Sequence, residues 1–228
     1  MTNNYFRKGF GLKSQVQPII DAEYHSSLIQ NIRDTGHKAV LGSLTVHLAQ
    51  EFGFCYGVDR AIDYAYEARH KFPDRRIRLV GEIIHNPHVN QRLRDMKMDF
   101  IQPTDTGIFD FSELTREDVV ILPAFGVTLY DLETLRDIGC ILVDTTCGSV
   151  LLVWKRVESY ARDGFTALIH GKHYHEESRA TASQVGKYPN GRYIIVRDMK
   201  EVKIICDYIT GKKGSLSKAE FTRHFSQK

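Results

Sequence analysis

Ile141-Leu142-Val143-Asp144-Thr145-Thr146-Cys147 is an apolar run that turns polar and stops at a cysteine. The next apolar residues, Val150, Val153, Trp154, Val157 and Ala161, recur at helical spacing as far as Gly164. An unbroken apolar run ahead of an amphipathic helix is the pattern of a strand buried on both faces, as in a parallel sheet. The rhythm repeats in both directions. Upstream, Asp118 to Ala124 reads as a strand leading through Phe125-Gly126 to a helix that Thr128 caps and Gly139 stops. Arg78 to Ile84 ends at His85, with Asn86 suited to an N-cap and Pro87 to the first helical position. Leu44 to Ala49 reads as the first strand, ahead of Cys55 and a helix through Val58, Ala61, Ile62, Ala65 and Ala68. Downstream, Phe165 to Ile169 ends at His170, and Tyr193 to Val196 precedes a helix around Glu201 to Tyr208. The alternation predicts an α/β fold with mostly parallel sheets. Residues 1–43 are polar and weakly periodic, with a helical stretch from Ile19 to Ile32, and read as an N-terminal extension packed on the core. A polar loop follows Ile209, and Lys218 to Phe225 is a short amphipathic segment.

The 228 residues suffice for a sizeable core in one or two domains. With 31 basic and 28 acidic residues the formal charge is +3, too balanced to suggest nucleic acid or a membrane surface as partner. No apolar run has the length of a membrane span, and Met1 to Lys8 holds no apolar signal core. Four cysteines, Cys55, Cys140, Cys147 and Cys206, make no compact disulfide framework. Free thiols and a cytoplasmic location are expected.

Cys55, His85, Phe125, Cys147 and His170 all fall at or just after the carboxyl end of an expected strand, the edge where open α/β sheets bind ligands. A cysteine at a helix N-terminus is favoured as thiolate by the helix dipole, and thiolate is what iron–sulfur clusters require. A buried structural cysteine is the alternative for Cys55 and Cys147, and is the expectation for Cys140 and Cys206. There is no C-x-x-C pair and no clustered ferredoxin spacing, so a metal site would be assembled from distant segments. His85 and His175 can donate N–H to phosphate oxygens, helped by Asn86 and the helix N-terminus behind it. Helix capping is the competing role for that motif. Glu177, two residues after His175, is a candidate proton donor, or else an ordinary first-turn glutamate.

Four stretches occur together in order: Gly53-Phe54-Cys55-Tyr56-Gly57-Val58-Asp59-Arg60-Ala61, Gly81-Glu82-Ile83-Ile84-His85-Asn86-Pro87, Asp144-Thr145-Thr146-Cys147, and His170-Gly171-Lys172 followed by His175-Glu176-Glu177. They closely resemble the 4-hydroxy-3-methylbut-2-enyl diphosphate reductases of the non-mevalonate isoprenoid pathway. Tyr5 to Gly11 and Leu122 to Gly126 resemble the plant and cyanobacterial branch. The resemblance implies three α/β lobes around a 4Fe–4S cluster held by one cysteine from each. It implies residues 44–146 as the first lobe and 147–228 as an incomplete second, with the third absent. By motif, Cys55 and Cys147 would be cluster ligands, His85 and His175 would hold the diphosphate, and Glu177 would pass a proton to the leaving hydroxyl. Ferredoxin or flavodoxin would supply two electrons, and isopentenyl and dimethylallyl diphosphate would be the products. The sequence departs from the family in lacking a third matching cysteine, in Gly148 where proline is usual, and in Leu151-Leu152 where a Thr-Lys pair is typical. Phe125 stands where many bacterial members carry a histidine. Two other expectations stay open: a diphosphate- or protein-binding module without redox chemistry, and a mononuclear metal or thiol hydrolase using Cys147, His175 and Glu177.

Overall fold

The computed structural model describes residues 4–225. The first three residues of the expected extension and the last three of the expected second lobe lie outside them. The chain folds in the order β1 (Tyr5–Phe6), α1 (Lys13–Tyr24), α2 (Ser27–Asp34), β2 (Lys38–Leu41), β3 (Leu44–His47), α3 (Tyr56–Lys71), β4 (Ile77–Val80), α4 (Pro87–Asp95), β5 (Met98–Ile101), β6 (Val119–Leu122), α5 (Leu129–Ile138) and β7 (Ile141–Asp144). Then come α6 (Gly148–Arg162), β8 (Thr166–His170), α7 (Glu176–Ser183), β9 (Arg192–Val196), α8 (Met199–Ile209) and α9 (Lys218–Phe225). The α/β expectation with parallel sheets holds.

The main sheet has the order β1-β7-β6-β4-β5, and every neighbouring pair is parallel. Its inner strands β6 and β7 are buried on both faces, as their apolar runs require. Side chains alternate between the faces with the strand period of two. Ile77, Leu79, Val119 and Ile121 join Val16, Ala61, Ala65 and Leu93 from α1, α3 and α4. Val80, Val120, Leu122 and Leu142 join Phe111, Leu114 and Leu135 on the opposite face. Burying one such aliphatic side chain stabilises by about 1.5–3 kcal/mol.

Three expectations for the amino-terminal stretch are not met. Tyr5–Phe6 is a strand of the sheet, paired with β7, so these residues do more than pack on the core. The β7 residue Asp144 holds them there. It accepts from the Tyr5 hydroxyl at 2.6 Å and from Arg7 Nε at 3.0 Å. Leu44 to Ala49 is not the first strand of the parallel series. Its ordered part, β3, forms an exposed antiparallel hairpin with β2 across the two-residue turn Gly42-Ser43. Gly42 takes φ +62, the left-handed region that such a short connection demands. The helical stretch expected from Ile19 to Ile32 is two helices, broken between Tyr24 and Ser27, where Ser26 caps α2.

β8 and β9 pair in parallel as a separate two-stranded sheet. Val157 and Ala161 of α6 pack there with Ala167 and Val185, while Val196, Ile205 and Phe225 make a second small core with α8 and α9. Among the described residues, no helix is long and apolar enough to cross a membrane.

Candidate functional site

The strand order creates the site. After β4, the chain passes through α4 to β5 on one side, then returns to lay β6 on the other. The crevice beyond the carboxyl ends of β4 and β6 is therefore a topological switch point, where parallel sheets bind ligands. His85 follows β4 and Phe125 follows β6, and their rings stack with centroids 4.5 Å apart. His175 reaches the same spot as the N-cap of α7. Its Nε2 lies 3.1 Å from His85 Nε2, and its ring meets Phe125 edge-on.

With both rings neutral, the hydrogen bonds fit one consistent tautomer arrangement. His175 Nδ1 accepts from the Glu177 backbone N–H at 3.3 Å, so its Nε2 carries the proton and donates to His85 Nε2. His85 then carries its own proton on Nδ1 and donates it to Glu82 Oε2 at 3.0 Å. Glu82 thereby fixes the tautomer of His85. Glu176 Oε2 lies 3.8 Å from His85 Nε2 and 4.0 Å from His175 Nε2. Its neighbour Glu177, the residue singled out from the sequence, is exposed, and its contact with His175 is through the backbone. Asn86 caps α4 by accepting from His88 N and Val89 N, so those two donors are satisfied locally and are not offered to an anion. His170 ends β8 and is exposed, as is His173.

Cys55 and Cys147 are brought together. Each is the residue preceding a helix, α3 for Cys55 and α6 for Cys147. A Cβ built on Gly57 would stand 2.5 Å from Cys147 Sγ and 3.8 Å from Cys55 Sγ. The bare glycine is what lets the α3 N-terminus approach the second thiol. Cys147 is anchored by its N–H on Ala124 O at 2.9 Å, and Thr145 Oγ1 donates to Leu122 O at 2.7 Å. Burial alone would push the Cys147 thiol up. The N–H groups of Ser149 and Val150 and the Tyr56 and Ser149 hydroxyls outweigh it and hold the thiol below its ordinary value. Tyr56 and Ser149 bond to one another at 2.7 Å across the two helices. Cys140 is buried, and desolvation pushes its thiol up to about 11, as a structural cysteine requires.

Sequence reasoning passed over Glu82, Glu176, Tyr56 and Ser149. Glu82 carries a readable signal, since it stands three residues before His85. A cleft of about 690 Å³ lies among Tyr24, His25, Phe52, Phe54 and His88, and does not contain the paired imidazoles.

A parallel sheet with two imidazoles over its switch point and two converging thiols at adjoining helix N-termini defines an α/β protein with a candidate ligand site at its strand carboxyl edge. The LytB protein family matches residues 46–223, and the chain belongs to that family. It is similar to the 4-hydroxy-3-methylbut-2-enyl diphosphate reductase of Gloeothece citriformis, 48% identical over 208 residues, covering 91% of this chain and 50% of the relative. The Trichormus variabilis protein of the same name is 46% identical over 226 residues, covering 99% and 54%. The chain spans about half the length of the curated relatives it matches. It also resembles a solved (E)-4-hydroxy-3-methyl-but-2-enyl diphosphate reductase, described as the terminal enzyme of the non-mevalonate pathway. The TM-score is 0.56 at 30% identity, covering 68% of this chain and 51% of that one. The Plasmodium falciparum reductase, at 22% identity and TM-score 0.54, supports the fold alone.

Proposed function

We propose that the chain takes part in the reductive dehydroxylation of 4-hydroxy-3-methylbut-2-enyl diphosphate to isopentenyl and dimethylallyl diphosphate, in the cytoplasm, with ferredoxin or flavodoxin as electron donor. Overall, the C–OH bond breaks, the hydroxyl leaves as water with one proton, and the allylic carbons take two electrons and a second proton. Cys55 and Cys147 would be two of the ligands to a 4Fe–4S cluster. Convergence of the sulfurs on Gly57 and the lowered Cys147 thiol fit soft iron ligands. When bound, such a cluster would supply the electron transfer.

The imidazole pair would hold the diphosphate. In the neutral pair only one Nε2 carries a proton. Both nitrogens donate to an anion once His85 Nε2 also carries a proton. The Glu82 carboxylate orients the His85 ring by accepting from Nδ1. Phe125 covers one face of His85 and excludes water from it. Glu177, exposed in the first turn of α7 beside His175, would deliver the proton to the leaving hydroxyl.

The observation that carries this proposal is the meeting of His85 and His175 at the switch point. Two measurements test it. Anaerobic iron–sulfur reconstitution should give near-stoichiometric cluster by visible absorption and iron content, lost on Cys55→Ser or Cys147→Ser. Calorimetry of pyrophosphate binding to metal-free protein should show one site per chain, lost in His85→Ala. A folded chain that assembles no cluster but binds pyrophosphate would leave a diphosphate-binding module without redox chemistry. Failure of both would refute the proposal.

A further inference from the structure

Three potential metal ligands face one another at the switch point. His85 Nε2 and His175 Nε2 are 3.1 Å apart, and Glu176 Oε2 is 3.8 and 4.0 Å from them. These ligand atoms all lie within 4.8 Å of one another. A zinc ion with bonds of about 2.0–2.1 Å in tetrahedral geometry spaces its ligands by about 3.3–3.4 Å. Small side-chain adjustments close this triangle to that spacing. The ligand set is two imidazoles and a carboxylate, which suits a zinc-class divalent ion rather than magnesium or calcium. The outer contact is also in place, since Glu82 accepts from His85 Nδ1, the carboxylate–histidine arrangement that orients and strengthens a metal-binding imidazole.

We infer that His85, His175 and Glu176 form a binding site for a zinc-class divalent cation, separate from the paired thiols, with a water completing the coordination. His85 already presents the bare Nε2 that a metal needs. His175 must move its proton from Nε2 to Nδ1, giving up the 3.3 Å contact from the Glu177 N–H. That contact is at the long end of the hydrogen-bond range, so the capping interaction exchanged is a weak one. Metal binding by the neutral pair is then a change of tautomer. The inference does not depend on the reductase proposal, because it asks nothing of the thiols; the cation and a diphosphate would compete for the same two Nε2 atoms.

The test uses the full chain carrying Cys55→Ser and Cys147→Ser, which removes the thiolates that would compete for a soft ion. Titration with Co²⁺ and with Zn²⁺ should show one ion taken up per chain. The Co²⁺ visible spectrum should be tetrahedral, without thiolate charge transfer. Affinity should fall at least about 100-fold in His85→Ala and in His175→Ala, and about 10-fold or more in Glu82→Gln, the range found for outer-contact losses. In the unsubstituted protein, Zn²⁺ should protect both histidines from diethylpyrocarbonate, read by peptide mass spectrometry, which needs no variant to fold. No uptake by the cysteine-substituted chain, affinity unchanged by the histidine substitutions, or undiminished reactivity of His85 and His175 in Zn²⁺ would overturn the inference. Pyrophosphate binding to metal-free protein is untouched by any of these outcomes, so the two proposals fail separately.

Discussion

Gly57→Ala should separate the proposed metal binding by the paired thiols from the folding of the chain. The added methyl would stand 2.5 Å from Cys147 Sγ, where ordinary contacts begin near 3.4 Å. The sulfur or the α3 N-terminus must therefore retreat by about 1 Å, while metal sites tolerate displacements of only about 0.2 Å. Misplacement on that scale should lower affinity for a thiolate-bound ion by about 100-fold, equivalent to about 2.7 kcal/mol. Stability should change less. Overpacking costs about 1–3 kcal/mol, but replacing a helical glycine by alanine returns about 0.5–1 kcal/mol. The net loss is then between about 0 and 2.5 kcal/mol, and partial exposure of Cys147 lets part of the strain relax outward. The assay is an anaerobic Cd²⁺ titration followed by thiolate-to-metal absorption, beside a urea melt of the metal-free protein. Cd²⁺ affinity within threefold of the parent would show that the sulfurs are not held ready by the glycine, and the reasoning would fail. Loss of binding only through loss of the fold would refute it equally.

Asp144 and Gly126 give two further outcomes. Asp144→Asn should cost about 2–3 kcal/mol at pH 7 by weakening the bonds from Tyr5 and Arg7, measured by urea denaturation. Burial alone would raise the Asp144 carboxyl, but bonds from Thr146, Tyr5 and Arg7 outweigh it and hold it below the usual carboxylate range. A depressed folded value stabilises fully above the unfolded carboxylate value near about 4 and is lost as pH falls through the folded one. Urea midpoints of the parent should therefore drop more steeply below about pH 4 than those of the variant. Gly126→Ala should lose about 2–4 kcal/mol on the same assay, because Gly126 sits at φ +78 and its methyl would enter the Trp154 ring. That ring has little freedom to move, since its Nε1 donates to Thr181 Oγ1 at 3.2 Å.

What was legible in the sequence was mostly local. Asn86-Pro87, Thr128 and Gly139 announced their helix ends, and the cap geometry follows each. The apolar runs at β6 and β7 could only be strands buried on both faces. The β2–β3 hairpin was missed although Gly42-Ser43 is a recognisable two-residue turn, because an exposed strand pair carries no strong apolar alternation. β5 is four residues long and is entered through Lys97 at φ +57, a backbone state that a lysine gives no reason to expect. The motif singles out Glu177, while the structure sets the Glu176 carboxylate beside the imidazoles, because adjacent helical residues point about 100° away from one another. The histidine N-cap of α7 brings that first turn to the crevice, a placement no local pattern encodes.

The larger gap concerns order rather than identity. Strand ends could be marked along the chain at His85, Phe125 and Cys147, but adjacency in a sheet is a long-range property that apolar periodicity does not encode. With β6 added beside β5, the end of β6 would not adjoin the end of β4, and Phe125 would have no reason to lie over His85. Because β6 returns to pair with β4, Leu79 with Ile121 in register, the two strand ends adjoin and the rings stack. The same insertion leaves β7 beside β6, which places Cys147 next to the α3 N-terminus that Gly57 opens. The imidazole site and the thiol pair thus follow from one topological choice. A change that weakens β4–β6 pairing should loosen both together, whereas a change in α7 should reach only the imidazoles.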